Sequence, residues 1–162
     1  FWLVDNYREA YNLFACTGIL FNHESHLRPT RFVTQKIIST AKRISNGSAE
    51  KLVLGRLDIS RDWGWAPEYV EAMWLMLQQE QPEDFVIATG EINTLESFVA
   101  ETFSQLGLDW RIYVKQNPDF MRPTDLLVSF GNAEKARKKI GWEATYKMRD
   151  VVRMMLSESF NH

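Results

Sequence analysis

The sequence predicts an α/β fold built on an incomplete parallel sheet, and three observations carry that expectation. Leu13-Phe14-Ala15-Cys16-Thr17-Gly18-Ile19-Leu20-Phe21 and Phe85-Val86-Ile87-Ala88-Thr89 are compact apolar runs suited to strands buried on both faces. Between and after them, apolar positions recur with helical spacing. Two long strands with a few short ones do not complete a doubly wound sheet, so further strands are expected upstream of Phe1.

Taken in order, residues 1–12 have helical character without an N-cap, and the strand at 13–21 follows almost at once, as in a βαβ half-unit without its beginning. From Phe32 the positions Val33, Ile37, Thr40, Ala41 and Ile44 share one helical face, and Asn46-Gly47 stops it. Lys51 to Gly55 is a short strand, after which Arg61-Asp62-Trp63-Gly64-Trp65 reads as a loop. Pro67 initiates a helix expected to bury Val70, Met73, Trp74 and Leu77. Asn93 with Glu96 suggests a capping box for a helix that buries Leu95, Phe98, Val99, Thr102 and Leu106 and ends at Gly107. Trp110 to Gln116 is strand-like, and 117–123 is a loop. Two helices close the chain, one over 133–140 stopped by Gly141 and one burying Met148, Val151, Val152 and Met155.

Composition limits what such a fold does. At 162 residues, 45% hydrophobic and 25% charged, the chain is a soluble globular protein large enough for a sizeable core. A net charge of −2 provides no basic field, so nucleic acid is not an expected partner. Its single cysteine, Cys16, sits inside an expected strand as a small buried apolar residue, in keeping with a reducing, cytoplasmic setting. No apolar run approaches the ~18 residues of a membrane span, and the opening segment is no signal peptide. Because the chain starts at Phe1 inside a helix, it is expected to be a fragment.

The chemistry concentrates where the strand at 13–21 ends. Asn22-His23-Glu24-Ser25, then Arg28, gathers polar groups at a strand's carboxyl end, where open α/β sheets bind ligands. The plainer alternative is a turn in which Asn22 and Ser25 satisfy local backbone. Metal binding is not expected, since His23 and His26 are three apart in a loop and the helical zinc motif needs four. Lys36, Arg61 and Arg122 lie near helix starts or turns, positions that suit a diphosphate and equally suit solvated surface charges. Trp63, Trp65 and Trp74 invite comparison with a base-stacking platform, but Trp74 is assigned to the core. Lys135, Arg137, Lys138 and Lys139 read as a solvated helix face.

With Asn6-Tyr7-Arg8-Glu9-Ala10-Tyr11, Leu20 to Ser25, Phe32 to Lys36, Arg61-Asp62-Trp63-Gly64 and Ile87 to Glu91, the chain resembles the GDP-mannose 4,6-dehydratase family of extended short-chain dehydrogenases, over their C-terminal half. The resemblance implies an incomplete Rossmann-type NADP domain, represented by its last strands, plus a smaller α/β substrate-binding domain. Residues 1–31 and the returning strand 85–89 would belong to the former and 32–162 mainly to the latter. It also implies cofactor contacts for His23 and Arg28. Substrate contacts are implied for Asn22, Val33, Lys36, Leu54, Gly55, Arg61, Arg122 and Asp125, with Val33, Leu54 and Gly55 on the guanosine side. His26, Leu27, Pro29 and Arg31 stand where that family commonly has Pro, Arg, Gly and Asn, and Asp125 where it has Glu.

The family are lyases of GDP-fucose biosynthesis that take GDP-mannose to GDP-4-keto-6-deoxymannose and tend to form homo-oligomers, dimers or tetramers. Their glycine-rich dinucleotide turn, Thr-x-Glu pair and Tyr-x-x-x-Lys have no counterpart in matching context here, so no turnover is expected from this chain alone. A sister GDP-sugar reductase or epimerase, or a binding protein without catalysis, are the other readings.

Overall fold

The computed structural model describes residues 1–121 and 124–157. The chain opens with α1 (Trp2–Tyr11), β1 (Gly18–Leu20), β2 (Asn22–Glu24), α2 (Val33–Ser45) and β3 (Leu52–Leu54). Next come β4 (Ser60–Arg61), β5 (Trp63–Trp65), α3 (Ala66–Met76), β6 (Phe85–Ile87), β7 (Asn93–Thr94) and α4 (Leu95–Gln105). The remainder holds α5 (Trp110–Tyr113), β8 (Val114–Gln116), a 3₁₀ turn at Pro118–Phe120, β9 (Val128–Ser129), α6 (Glu134–Ile140) and α7 (Met148–Leu156). This is an α/β fold with short, mostly parallel ladders. β1 pairs with β6, β2 with β5 and β3 with β8, all parallel, while β4 lies between antiparallel β7 and parallel β9.

Two apolar cores form. In the first, α2, α4 and α7 pack together, burying Ile37, Ile38, Ala41, Phe98, Val99, Val151 and Val152 over Leu52, Leu54 and Trp63. The second packs Tyr69, Ala72 and Met76 of α3 against Phe85 and Ile87 of β6, with Ala136, Ile140 and Trp142 closing it. The expected faces of α2, α6 and α7 are the buried ones, except that Val33 is exposed at the start of α2. Helix ends follow their glycines: Gly47, Gly107 and Gly141 all take positive φ.

Five expectations need correction, each for a physical reason. The strand at 13–21 shrinks to β1 because a ladder extends only as far as its partner. Phe85 N–H to Thr17 O and Phe21 N–H to Ile87 O close the pairing with β6 at both ends, and Cys16 falls outside the strand, half-buried. The loop at 61–65 is instead β4 and β5, since Trp63–Trp65 pairs with Asn22–Glu24 and Arg61 with Asn93 and Ser129. Trp110 to Tyr113 is a helical turn, started by Asp109 accepting the Arg111 N–H at 3.1 Å, and only Val114–Gln116 is strand. Thr94, not Asn93, caps α4 by accepting the Ser97 N–H at 3.0 Å. Finally, Val70, Met73, Trp74 and Leu77 are exposed, Trp74 by 60%, so Trp74 is not core. α3 carries apolar residues on more than one side, its only charges being Glu68 and Glu71, and periodicity alone cannot select which side meets β6.

Candidate functional site

β3 and the start of α2 frame a cavity of about 630 Å³. Val33 and Lys36 enter from α2, Leu54 and Gly55 from the end of β3, and Phe120 and Asp125 from the segment after β8. Five of the residues expected at the substrate, Val33, Lys36, Leu54, Gly55 and Asp125, thus share one wall. Lys36 Nζ donates to the Val53 carbonyl at 2.6 Å and lies 5.2 Å from the centre of the Phe120 ring. That double anchorage holds an ammonium at the cavity edge and carries its charge to the ligand face. Gly55 is required by space: a Cβ there would stand 2.6 Å from the Phe120 carbonyl oxygen. Arg56, also on the wall, is half-buried and paired with Asp58 at 2.6 Å, and Arg31 adds a third cation. Three cations, one carboxylate and two aromatic rings, Phe32 and Phe120, suit a ligand that is anionic at one end and planar at the other.

Arg61 is not on that wall. Its Nη1 donates to the Ser60 and Leu126 carbonyls at 2.8 and 2.7 Å, so it ties β4 to the segment before β9. Arg122 lies outside the described residues.

Asn22, His23 and Arg28 lie on β2 and the loop after it, apart from the cavity wall but joined to it through Phe32. His23 stacks on Tyr69 with ring centres 4.7 Å apart, and its Nδ1 donates to the Phe21 carbonyl at 2.8 Å. Burial pushes the Tyr69 phenol up, the Asp62 and Glu68 carboxylates adding to it, so Tyr69 remains neutral beside His23. Arg28 Nε is 3.2 Å from Glu24 Oε2, an ion pair whose alignment falls short of a hydrogen bond, and its guanidinium lies 3.8 Å over the Phe32 ring. Among the described residues its terminal nitrogens donate no hydrogen bond to protein.

Several residues that shape the site escape sequence reasoning. Asp62 is fully buried and accepts the Thr89 and Gly90 N–H groups at 2.9 and 2.8 Å, clamping the turn that follows β6. Its signal is a carboxylate between an Arg and a Trp, which gives no direction. Phe120 and Arg56 lie on irregular segments without period. Glu24 is hidden in a polar run at the end of β2, and its pairing with Arg28 in the turn that follows has no periodic signal. A separate hollow of about 370 Å³ between Thr89 and Asn132 contains none of the expected site residues.

A family profile described as GDP-mannose 4,6 dehydratase matches residues 1–155. GDP-mannose 4,6 dehydratase 2 of Arabidopsis thaliana is 50% identical over 157 residues, covering 97% of this chain and 42% of that protein. The Homo sapiens GDP-mannose 4,6 dehydratase is 43% identical, with 96% and 46% covered. Among solved structures, RMD from Pseudomonas aeruginosa complexed with NADPH superposes with a TM-score of 0.84 at 16% identity, over 96% of this chain and 51% of that one. The dTDP-glucose 4,6-dehydratase of Bacillus anthracis in complex with NAD gives 0.83 at 17% identity, over 96% and 47%. These two likenesses show a shared fold. The chain therefore spans about half the length of the relatives it matches, or less. With nearly all of it aligned at such identity, the chain belongs to the GDP-mannose 4,6 dehydratase family.

Proposed function

We propose that this chain is the GDP-sugar-binding half of an NADP-dependent GDP-mannose 4,6-dehydratase, a lyase that converts GDP-mannose to GDP-4-keto-6-deoxymannose with loss of water, on the route to GDP-fucose. The observation that carries the reading is the convergence of Val33, Lys36, Leu54, Gly55 and Asp125 on one cavity of about 630 Å³, in a chain of this family. Leu54, Val33 and the Phe120 ring take the guanine, Gly55 brings backbone close, and Asp125 accepts from a ribose hydroxyl. Lys36 answers the diphosphate from the cavity wall, while Asn22 meets the hexose side.

Residues 1–31, with the returning segment 85–89 that contains β6, form the edge of the dinucleotide domain, and 32–162 form mainly the sugar-nucleotide domain. The residues present fit NADP: among the described residues Arg28 keeps terminal nitrogens without a protein partner for a phosphate, and His23 on the neighbouring strand has a ring held against Tyr69. When bound, NADP supplies the hydride acceptor and donor for the hexose. The Tyr-x-x-x-Lys and Thr-x-Glu chemistry comes from the upstream half, so this chain binds and orients without turning over. Exposed apolar side chains on α1 and α3 support self-association as a dimer or tetramer. Among the described residues no helix is long and apolar enough to cross a membrane, and unpaired Cys16 accords with a cytoplasmic setting.

The test is product analysis with the full-length protein, GDP-mannose and NADP. A 4-keto product lighter than substrate by one water is expected. An epimer of unchanged mass, or reduction of a keto sugar at the expense of NADPH, assigns the chain to a sister enzyme.

A further inference from the structure

Glu24 is 1% exposed, yet among the described residues it spends neither carboxylate oxygen on the backbone. Its neighbours are two side chains from different elements. Thr34 Oγ1 of α2 donates to Oε2 at 2.8 Å, and Arg28 Nε approaches the same oxygen to 3.2 Å. Burying a carboxylate is costly unless it is paired, and here burial pushes the Glu24 carboxyl up while Arg28 and Thr34 pull it back. Asp62, the other buried carboxylate nearby, is fully used in clamping a turn. Glu24 does something different: it grips a guanidinium by its inner nitrogen and leaves the outer two free.

We propose that Glu24 is a positioning residue for Arg28, holding the guanidinium by Nε against the Phe32 ring so that its two terminal nitrogens present a fixed fork to a phosphate of the dinucleotide. The inference rests on the reading that Arg28 meets the cofactor. An arginine side chain loses much rotamer freedom on binding, and an orientation set beforehand lowers that loss. Three constraints define the orientation: the ion pair to Glu24, the ring of Phe32 at 3.8 Å, and the Thr34 bond that keeps the carboxylate turned toward the loop. Phe32 and Val33 stand in the wall of the substrate cavity, so the loop held by Glu24 is braced on the start of α2, while Arg28 itself is not on that wall.

The experiment titrates NADPH and, separately, GDP into the full-length protein and its Glu24→Gln, Arg28→Ala and doubly substituted variants. Glu24→Gln is expected to weaken NADPH about tenfold and leave GDP within about twofold, and to add little once Arg28 is Ala, since the two residues act as one unit. If Arg28→Ala binds NADPH as the natural protein does, the cofactor reading itself fails. If Arg28→Ala weakens NADPH but Glu24→Gln does not, the positioning role is overturned and the cofactor reading stands. Parallel loss of NADPH and GDP in Glu24→Gln, or additive effects in the double variant, assigns Glu24 to the fold and overturns the proposal. Should Glu24→Gln not fold, Glu24→Asp keeps the charge and shortens the reach, and the same selective loss of NADPH is expected of it.

Discussion

Lys36 and Gly55 show how much of this site a single residue controls. Lys36 was readable as a cation near a helix start, but its anchorage on the Val53 carbonyl and beside Phe120 was not, because those partners lie on other elements. Gly55 follows the same pattern: the sequence marks a turn after Leu54, and only the fold shows the Phe120 backbone pressed against it. Arg61 is the opposite case, a readable cation whose side chain in this structure is held by backbone carbonyls. In the full-length protein, Gly55→Ala is expected to cost about 1–3 kcal/mol, since the atoms met are backbone and cannot swing away. Chemical denaturation measures this, and an unchanged midpoint with unchanged slope would show that the 3₁₀ turn moves freely.

At the scale of elements, what periodicity specifies is which residues alternate, not which side has a partner. α7, with its one apolar stripe, buries the expected Met148, Val151, Val152 and Met155, whereas α3, apolar on more than one side, buries Tyr69, Ala72 and Met76 in place of the expected four. Strand ends were equally unreadable for β1, whose length β6 decides. α1 has no buried residue and is tied down by charge: Arg8 pairs with Asp84 and donates from Nε to Ala15 O at 2.7 Å, and Asp84 also accepts the Thr17 N–H at 2.6 Å. Burial pushes the Asp84 carboxyl up, but the bonds from Arg8 and Thr17 outweigh it and hold it below the usual carboxylate range. A carboxylate depressed in the folded state adds stability above its unfolded value of ~3.9, and that stability is lost as pH falls through the folded value. Asp84→Asn is therefore expected to cost about 1–3 kcal/mol near neutral pH, with the difference from the natural protein shrinking below about pH 4. Thermal unfolding across that range checks it, and a pH-independent difference would contradict the charge account.

Across the whole molecule, the described surfaces are unusually apolar for a free domain. Trp2, Leu3, Tyr7 and Tyr11 project from α1, Val70, Met73, Trp74 and Leu77 from α3, and the β1–β6 pair has an open edge on each side. Parallel sheets are normally covered on both faces and rarely stop at two strands. The shortfall of strands was legible in the sequence, since two long apolar runs cannot complete a doubly wound sheet, whereas the exposed side of α3 was not. Residues 1–162 expressed alone are accordingly expected to associate or aggregate. Size-exclusion chromatography with thermal unfolding checks this, and a soluble monomer with one sharp transition would show that the segment is an independent domain.

The claim that this chain carries the sugar-nucleotide site is tested most directly by calorimetric titration of GDP into the full-length protein and its Lys36→Ala variant. Loss of a charge-assisted contact is worth about 1.5–3 kcal/mol, so GDP affinity is expected to fall on the order of ten- to a hundredfold while NADPH affinity is kept. Equal GDP affinities in the two proteins would contradict the assignment of the cavity.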